Sequence, residues 1–544
     1  MRRLPWLAVL LLGIWSAAGA QTYRISGVVL NTATGKPAPR IRVAIAPSDA
    51  RDREMSTVSG ADGRFLFAEV NAGKYHLTAD HPIAGRETFG QPEGAAAFGT
   101  AVVAGPGLKT EDLVFRLHPP SAIHGRLTDQ GGDAIEGALV QLFRSLVVRG
   151  RRTTYYWGSR YTDDLGEYRF GPLPAGAYYI LATGRPWYTS WLRGRDSGGP
   201  LSSMSYAPLF FPGSRDARGA APVRLRAGQD VQADVAMTAL PAGKLTIAVH
   251  VPGEETAPDE TPAPVRGRVR PRPGANPARV DVTLEGPAGG VGWERVETIY
   301  GSSVLPGIPQ GRYGLRVQTT DAAKPLYGRT TIDVGAGETK VDIALAEPPS
   351  VTGTVHIEGT SSAIPRGTLI ELENDVENRH IRRPVADDGT FSFDTIPPGQ
   401  YTPLLISPAV VFRLGSVAVG GAVAKDLWVD VMRPVRLDVT AVAKAAEVSG
   451  YVYRNGEAQA GVLAMLVPRE ESSNPYDYLP FQTDSDGSFA FTGVRPGDYT
   501  IFALTEFADF EYANPAAVRP YRPSGQHVHV ESEHVRGLRL ELKE

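Results

Sequence analysis

Residues 486–499 read DGSFAFTGVRPGDY, and three other stretches of the chain follow the same pattern. These are DGRFLFAEVNAGKY (62–75), LGEYRFGPLPAGAY (165–178) and DGTFSFDTIPPGQY (388–401). In the second of them the Asp of the pattern is replaced by Leu165, and we assign its role to the preceding residue, Asp164. Asp-Gly between extended segments is typical of a tight hairpin, because glycine adopts positive φ without steric cost. Two aromatic residues spaced by one lie on the same face of a strand, so we expect Phe489 and Phe491 in a core.

The four copies also open alike, with ISGVV (25–29), IHGRL (123–127), VTGTV (351–355) and VSGYV (448–452). The tyrosine of the motif follows the first residue of each opening by 50 to 55 positions. A degenerate fifth copy, VRGRV (265–269), precedes Tyr313 by 48 positions and lacks Asp-Gly. Alternating apolar residues predict half-buried strands here. The preceding strand LTIAV (245–249) fits either the end of the second unit or the start of the third.

Another alternating strand closes every copy, with inward residues Leu113/Phe115/Leu117, Val231/Ala233/Val235, Val341/Ile343/Leu345, Leu427/Val429/Val431 and Leu538/Leu540/Leu542. Each unit is thus about 85–120 residues of short strands, which is the size of a β-sandwich. The high counts of Gly (60) and Pro (44), with few long helical periodicities, favour an all-β chain. Short Pro-Pro junctions at 119–120 and 348–349 predict units set in a row.

The pattern G-x-[VL] … DG-x-[FY]-x-F-x-x-[VIL]-x-x-G-x-Y resembles that of the carboxypeptidase regulatory-like domain. That domain is a transthyretin-like (prealbumin-like) sandwich, grouped with carbohydrate-binding-like and Cna B-type folds. The resemblance covers most of residues 23–544 and implies an all-β chain, a tandem array of about five prealbumin-like β-sandwich domains. In the family these modules are non-catalytic. They lie beside catalytic domains, at the N-termini of outer-membrane receptors, or in strings within exported bacterial proteins.

The copies define the predicted domain boundaries. They are a signal peptide over 1–20, sandwich 1 over 21–119, sandwich 2 over 120–241, a strand and acidic Pro-rich linker over 242–264, sandwich 3 over 265–348, sandwich 4 over 349–435 and sandwich 5 over 436–544. The signal peptide is predicted from Arg2 and Arg3, the short apolar run 7–14 and the small residues 18–20, with cleavage before Gln21.

Composition excludes several classes of function. The chain has no cysteine, so we expect no disulfide, no thiolate zinc site and no cysteine nucleophile. Loss of the two signal-peptide arginines changes the formal charge from −3 to −5, which argues against nucleic acid as a partner. No later stretch is apolar over the roughly 20 residues that a membrane span needs. The mature chain is therefore expected to be periplasmic or extracellular, without a membrane span.

The second unit departs most from the repeat. RRTTYYWGSRY (151–161) lies near its hairpin, and RPWYTSWLRGRDSGGPLSSMSYAPLFFPGS (185–214) follows its tyrosine strand. Aromatic residues interleaved with arginine predict a surface that stacks on sugar rings or peptide side chains, although such residues also cover sandwich edges or neighbouring units. The candidate binding residues are Tyr155, Tyr156, Trp157, Trp187, Tyr188, Trp191, Tyr206, Phe210 and Phe211.

Two short strings resemble a trypsin-like protease: LTADHP (77–82) and GRDSGGPL (194–201). A catalytic triad needs its serine and histidine together in space. His81 belongs to the first unit and Ser197 to an insertion of the second, so we predict no protease and no catalytic residue. A metal site is not predicted either. His527 and His529 read as exposed residues of an edge strand, and 484–487 reads as a turn without the later Glu of a calcium loop.

These features predict an exported, non-catalytic binding or spacer protein without a cofactor. Cell-envelope glycan or another polysaccharide, bound through the second unit, is the first ligand class expected. The alternatives are a structural rod, an assembly partner of an outer-membrane or cell-surface complex, and an accessory to a separate peptidase.

Overall fold

The computed structural model describes residues 21–542, except 82, 84, 96, 193–203, 253–278, 287–293, 301–302, 321–324, 359–363, 375–378, 409–411, 443–445 and 532–533. The predicted signal peptide (1–20) lies outside the described residues. Among those described, no helix has the length and apolar character needed to cross a membrane.

Sandwich 1 faces a sheet of order β4-β1-β8 against a sheet of order β3-β2-β5-β6, in which β7 also pairs with β5. Its strands are β1 (Tyr23–Asn31), β2 (Arg42–Pro47), β3 (Met55–Val58), β4 (Arg64–Val70), β5 (Gly73–His81), β6 (Gly85–Thr88), β7 (Val102–Ala104) and β8 (Leu113–Leu117).

Sandwich 2 has the sheets β12-β9-β17, with β18 also on β9, and β11-β10-β13-β15, with β16 also on β13. Its elements are β9 (Ser121–Thr128), β10 (Leu139–Val148), β11 (Arg151–Tyr161), β12 (Glu167–Leu173), β13 (Gly176–Thr183), α1 (Trp187–Leu192), β14 (Met204–Tyr206), β15 (Leu209–Phe210), β16 (Val223–Leu225), β17 (Asp230–Gln232) and β18 (Val235–Ala236). A 3-10 turn spans Ala217–Gly219.

Sandwich 3 has the sheets β14-β19-β22, with β25 also on β19, and β21-β20-β23-β24. Strand β14 therefore leaves sandwich 2 to pair with sandwich 3. The strands of this unit are β19 (Ala239–His250), β20 (Arg279–Glu285), β21 (Glu294–Tyr300), β22 (Ser303–Pro309), β23 (Gly311–Thr319), β24 (Tyr327–Val334) and β25 (Glu338–Ala344).

Sandwich 4 has the sheets β29-β26-β34-β31-β32 and β28-β27-β30-β33. Its strands are β26 (Val351–Glu358), β27 (Leu369–Asn374), β28 (Arg379–Pro384), β29 (Thr390–Phe393), β30 (Gly399–Ile406), β31 (Arg413–Val419), β32 (Ala422–Val423), β33 (Val429–Val431) and β34 (Val435–Val442). A 3-10 turn spans Lys425–Leu427.

Sandwich 5 has the sheets β36-β35-β39, with β42 also on β35, and β38-β37-β40-β41. Its elements are β35 (Ala446–Arg454), β36 (Glu457–Ala458), β37 (Leu463–Pro468), β38 (Leu479–Gln482), β39 (Ser488–Val494), β40 (Gly497–Leu504), α2 (Pro515–Val518), β41 (Gln526–Val530) and β42 (Val535–Glu541). Two 3-10 turns span Pro475–Asp477 and Arg519–Ser524.

The opening strand has the same place in every unit: it pairs antiparallel with the motif strand and parallel with the closing strand. Its shared glycine is required by this close approach. A Cβ added to that glycine would lie only 2.1–2.3 Å from a backbone oxygen that belongs to the closing strand or to a residue next to it. The glycines are Gly27, Gly125, Gly243, Gly353 and Gly450. The G-x-[VL] pattern thus marks a position where a side chain does not fit.

The motif tyrosine also has one role in all five units. Its ring is buried in the core, and its hydroxyl donates a hydrogen bond to the carbonyl oxygen four residues earlier, at 2.7–3.0 Å. This bond closes the Pro/Gly turn before the strand and satisfies a polar group that burial would otherwise leave unpaired. The residues are Tyr75, Tyr178, Tyr313, Tyr401 and Tyr499.

Two predicted boundaries and one turn residue differ from the structure. Strand β19 pairs with β22 and β25, so sandwich 3 begins before residue 265, and its opening glycine is Gly243 rather than Gly267. Strand β34 pairs with β26, so the closing strand of sandwich 4 is Val435–Val442 rather than 427–431. In the second copy Asp163, not Asp164, accepts the turn hydrogen bonds from the backbone N–H groups of Leu165 and Glu167.

The units do not lie in a simple row, because sandwich 5 contacts sandwich 1. The backbone N–H of Ser485 donates to the Ala101 oxygen at 2.9 Å, and the Ser485 hydroxyl accepts from the backbone N–H of Val103 at 2.9 Å. Lys74 forms an ion pair with the buried carboxylate of Asp484 at the same junction. The turn that follows β38 thereby joins the edge of sandwich 1, and the chain closes on itself.

Candidate functional site

The tip of the β10–β11 hairpin projects from sandwich 2 towards sandwiches 4 and 5. Val148 pairs with Arg151, which leaves Arg149 and Gly150 as a two-residue turn with φ of 50° and 76°. Positive φ at both positions defines the tight turn that matches the twist of a hairpin. Gly150 is also enclosed, since an added Cβ would lie 2.5 Å from Cδ2 of Tyr512 and 2.6 Å from the backbone nitrogen of Ala513.

Every residue of this tip bonds to another sandwich. The Gly150 oxygen accepts from the Ala513 N–H at 2.9 Å, and Arg152 Nε lies 3.1 Å from Glu511 Oε1, both in sandwich 5. Towards sandwich 4, Arg149 Nη2 lies 2.6 Å from Glu373 Oε2, and Arg151 Nη2 lies 2.7 Å from Asp426 Oδ1. The guanidinium of Arg151 also donates to the Ser473 carbonyl oxygen at 3.1 Å, so it joins three sandwiches.

Sandwiches 4 and 5 are held together directly by two polar side chains, the buried Asn474 and the half-buried Arg413. Asn474 Nδ2 donates to the carbonyl oxygens of Leu414 and Gly415 at 3.1 and 2.9 Å. Arg413 donates to the carbonyl oxygens of Tyr476 and Thr492 at 2.7 and 3.1 Å. Burial lowers the pKa of Arg413 from its ordinary value, because the charged form loses solvation there.

Sandwich 1 is attached to sandwich 2 through a buried arginine. Arg144 Nη2 donates to the carbonyl oxygens of Gly94 in sandwich 1 and Ala175 in sandwich 2, at 3.3 and 3.0 Å. The guanidinium lies 5.2 Å from the Trp157 ring and 5.9 Å from the Tyr178 ring. Burial lowers the pKa of Arg144, and the two aromatic faces offset part of the loss of solvation.

A cleft of about 490 Å³ lies where sandwiches 2, 4 and 5 meet. This volume is within the range usual for small-molecule sites, about 300–1,000 Å³. Most of its lining residues are charged or polar in type, although their apolar atoms form about half of the exposed wall. The lining consists of Arg151, Arg152, Lys425, Asp426, Glu471, Ser472, Ser473, Glu511, Ala513, Asn514 and Pro515. The ion pairs of the hairpin tip form part of its walls, so the site exists only while the three sandwiches are in contact.

Three of the predicted binding residues lie in cores. Tyr206 and Phe210 are 5% and 4% exposed, and Phe211 is half-buried. Tyr206 and Phe211 pack in the core of sandwich 2, whereas Phe210 joins the core of sandwich 3 together with Phe143 and Leu181. Their aromatic character is thus accounted for by packing within and between units.

Three others lie on the edge strand β11. Tyr156 is 56% exposed and meets the Phe143 ring edge-on at 5.8 Å, while Trp157 is 43% exposed and meets the Tyr178 ring at 6.4 Å. Tyr155 is half-buried beside them on the same strand. These aromatics cover the edge of their own sandwich while leaving part of each ring in solvent.

The remaining predicted residues belong to α1. Trp187 is 76% exposed, and its ring meets Tyr188 edge-on at 5.8 Å. Trp191 is also on α1, but residues 193–203, including Ser197, lie outside the described residues. Strand β10 pairs with both β11 and β13 and so relates the two groups of aromatics. The last residue of β13, Thr183, lies opposite Leu139 of β10, whereas Tyr156 of β11 lies opposite Phe143. Leu139 and Phe143 are four residues apart, which corresponds to about 13 Å along the strand. The aromatics of β11 and the start of α1 thus lie at different levels of the sheet.

The histidines that the sequence singled out have structural partners. His81 ends β5 in sandwich 1, and its Nδ1 accepts from the Ile83 N–H at 3.2 Å. His527 and His529, on the edge strand β41, both contact Asp498, at 3.0 and 2.9 Å. Hydrogen bonding to Asp498 raises the pKa of His529. Within the described part of the chain, no group of three His, Asp or Glu side chains is arranged to hold a metal ion.

Sequence reasoning missed the cleft because its residues come from three units. Arg-Gly at 149–150 is the one local signal, since Gly between two arginines in an alternating run indicates a two-residue hairpin turn. Lys425, Asp426 and Glu511 carry no motif. Their proximity is a property of how the sandwiches are packed together.

Comparison with known proteins gives a family match to the first unit and several similar solved structures. Residues 24–97 match the family model of the carboxypeptidase regulatory-like domain. Among solved structures, the Bacillus anthracis TIE protein is 10% identical over 75% of this chain and 69% of its own, with a TM-score of 0.16. A streptococcal ancillary pilin is 14% identical over 60% of this chain and 99% of its own, with a TM-score of 0.17.

BcpA, the major pilin subunit of Bacillus cereus, is 14% identical over 59% of this chain and 99% of its own, with a TM-score of 0.14. No curated protein matches the sequence. The family match falls on the first of five units that share one strand arrangement. The chain is therefore a tandem array of β-sandwiches whose first unit matches the carboxypeptidase regulatory-like domain.

Proposed function

We propose that the protein is an exported, non-catalytic binding protein, and that its ligand site is the cleft between sandwiches 2, 4 and 5. The observation that carries the proposal is the construction of this cleft: a cavity of about 490 Å³ whose walls are joined by Arg151–Asp426 and Arg152–Glu511 ion pairs. Walls fixed before a ligand arrives reduce the entropy that binding must overcome. Export is supported by the N-terminal sequence.

The polar groups of the cleft favour binding over catalysis. No histidine is among the described residues that line it, and the Ser472 hydroxyl donates to Asp477 Oδ2 at 2.6 Å rather than to an imidazole. Each lining carboxylate is engaged by an arginine, Glu471 by Arg519 at 2.9 Å. None is therefore an isolated carboxyl group of the kind that donates a proton in glycoside hydrolysis.

Glycan binding through α1 is a second candidate. Trp187 exposes 76% of its surface and has Tyr188 beside it. An exposed indole next to a second ring offers a sugar an apolar face and a hydrogen-bonding edge.

A glycan array probed with the wild type and variants tests both candidates. Arg151→Ala breaks the wall of the cleft, whereas Trp187→Ala removes the exposed indole and leaves the cleft intact. Binding lost only with Arg151→Ala supports the cleft, and binding lost only with Trp187→Ala supports α1. A wild type that binds no glycan, or binding that neither substitution changes, contradicts both.

A further inference from the structure

Strand β11 is an edge strand of 11 residues that pairs with β10 alone among the described elements. Val148 and Arg151 flank the two-residue turn, so they exchange two main-chain hydrogen bonds, and bonded and non-bonded pairs alternate from there. The N–H and C=O groups of Arg152, Thr154 and Tyr156 therefore point away from β10. In the described part of the chain, none of these main-chain groups has a hydrogen-bond partner.

The unpaired stretch has a defined length. Before it, the hairpin tip at 149–151 is held by sandwiches 4 and 5. After it, the register shifts between Leu142 and Phe143, so that Trp157 forms a bulge without an opposite residue of its own. Beyond the bulge, the Ser159 carbonyl oxygen accepts from Arg160 Nη1 at 2.8 Å. The free edge thus consists of residues 152–156.

The sequence of this edge lacks the usual protection against pairing. Exposed edges are commonly protected by charged residues and proline, and β28 has three arginines and a final proline within six residues. Residues 153–159 of β11 read TTYYWGS and contain neither charge nor proline. Tyr156 and Trp157 are also 56% and 43% exposed. An uncharged run of β-branched and aromatic residues on a free edge favours addition of another strand.

We infer that this edge pairs with the same edge of a second copy of the chain, antiparallel about a two-fold axis at Thr154. In that register Thr154 lies opposite Thr154 of the partner subunit, and Arg152 lies opposite Tyr156 of the partner subunit. Each of these pairs exchanges two main-chain hydrogen bonds, which satisfies the groups that point away from β10.

The side chains of the edge are complementary to themselves in this register. Paired threonines, and an arginine beside an aromatic ring, are favourable neighbours across two strands. On the other face Thr153 lies opposite Tyr155 of the partner subunit, and no two like charges meet. The surface is separate from the ligand site of the cleft, because Arg152 contributes its side chain to the cleft and its main chain to the edge.

Sedimentation equilibrium of the full mature chain tests the inference. Pairing over five residues buries little surface, so we expect a weak dimer whose mass rises from one chain towards two over roughly 1–300 µM. Thr154→Pro removes the central outward N–H without removing a bond to β10, and it should weaken the dimer at least 10-fold. Thr154→Lys and Thr154→Glu should each be monomeric, because like charges meet at the axis, whereas an equimolar mixture of the two should regain the dimer.

The control is Thr57→Lys, at a half-buried threonine on the edge strand β3 of sandwich 1, which should associate as the wild type does. A wild type that stays monomeric throughout overturns the inference, as does a Thr154→Pro variant that associates like the wild type. A mixture of the lysine and glutamate variants that stays monomeric also overturns it, because position 154 would then not lie at the axis. Unchanged circular dichroism of each variant shows that the fold is retained.

Discussion

At the scale of single residues, the repeat pattern follows from one steric requirement and one hydrogen-bonding requirement. Glycine opens each unit because a side chain there meets the closing strand, and tyrosine ends each motif because its hydroxyl satisfies a buried turn carbonyl. Both residues are readable from the sequence, and they located the opening strand and the motif tyrosine of four units. The fifth opening was misplaced at Gly267, because a G-x-V string also occurs at 267–269, outside the described residues.

Removal of a motif hydroxyl should destabilise one sandwich. In Tyr499→Phe, the Arg495 carbonyl oxygen loses the hydrogen bond that it accepts at 2.9 Å. We expect the free energy of unfolding of sandwich 5 to fall by about 0.5–1.5 kcal/mol. Urea denaturation measures the change. Tyr451→Phe is the matched control, because Tyr451 is 41% exposed in the same sandwich. Equal effects of the two substitutions would rule out the proposed role of the hydroxyl.

Gly150 tests the hairpin tip. In Gly150→Ala the new Cβ meets the backbone of Ala513, so the tip must move away from sandwich 5. Gly107→Ala is matched to it, because Gly107 has a φ of 74° and an added Cβ there would have no neighbouring atom within 4 Å. Both substitutions place an alanine at positive φ, so the free-energy cost of that backbone conformation is the same in the two variants. Differential scanning calorimetry should therefore show Gly150→Ala less stable than Gly107→Ala by about 1–3 kcal/mol, the cost of overpacking. Similar stabilities would mean that the tip is not enclosed.

At the scale of elements, strand pairing decides where units begin and end. The sequence predicted the strands of 239–250 and 435–442 poorly, because alternation shows that a strand exists but not which sheet it joins. LTIAV (245–249) fitted two units equally well on periodicity alone. The parallel partner of an opening strand lies about 90 residues away, and only the folded chain shows it.

Hydrogen exchange tests the assignment of β19. Its residues 244–247 pair on one side with β22 and on the other with β25, as in the centre of a sheet. We expect these amides to exchange as slowly as those of β1, and much more slowly than those of the edge strand β21. Exchange at the rate of an unpaired linker would show that β19 does not belong to sandwich 3.

The edge strand β28 is attached to β27 by ion pairs between side chains as well as by backbone hydrogen bonds. Burial opposes ionisation of Glu371, but hydrogen bonds from Arg382 and His380, both at 2.6 Å, outweigh it and hold the pKa of Glu371 below its ordinary 4.5. A lowered folded-state pKa stabilises the fold above the ordinary value, and this contribution is lost as pH falls through the lowered pKa.

His380→Ala removes one of these partners, so the pKa of Glu371 should rise towards its ordinary value. We expect the midpoint of acid unfolding, followed by circular dichroism, to move to higher pH. His356→Ala serves as control, because His356 is exposed on β26 in the opposite sheet of the same sandwich. An acid midpoint that stays at the wild-type pH would contradict the assigned role of His380.

At the scale of the whole molecule, contacts between units decide both shape and site. Family resemblance and periodicity predicted five sandwiches, but they predicted a row, since neither contains information about surfaces that meet far apart in sequence. Phe98 of sandwich 1, for example, meets the Phe507 ring of sandwich 5 edge-on at 5.3 Å. The aromatic residues of sandwich 2 were predicted as a binding surface, and several of them instead form cores and unit junctions.

The central claim is that the chain closes on itself, so that sandwich 5 contacts sandwich 1 as well as sandwich 2. The chain has no cysteine, so Val103→Cys/Ser485→Cys carries the only two thiols. The backbone nitrogen of Val103 lies 2.9 Å from Ser485 Oγ across 382 positions of sequence. A short bis-maleimide should therefore cross-link most native molecules internally, seen as faster migration on a denaturing gel, and few molecules in urea. A native yield no higher than the yield in urea would contradict the closed arrangement.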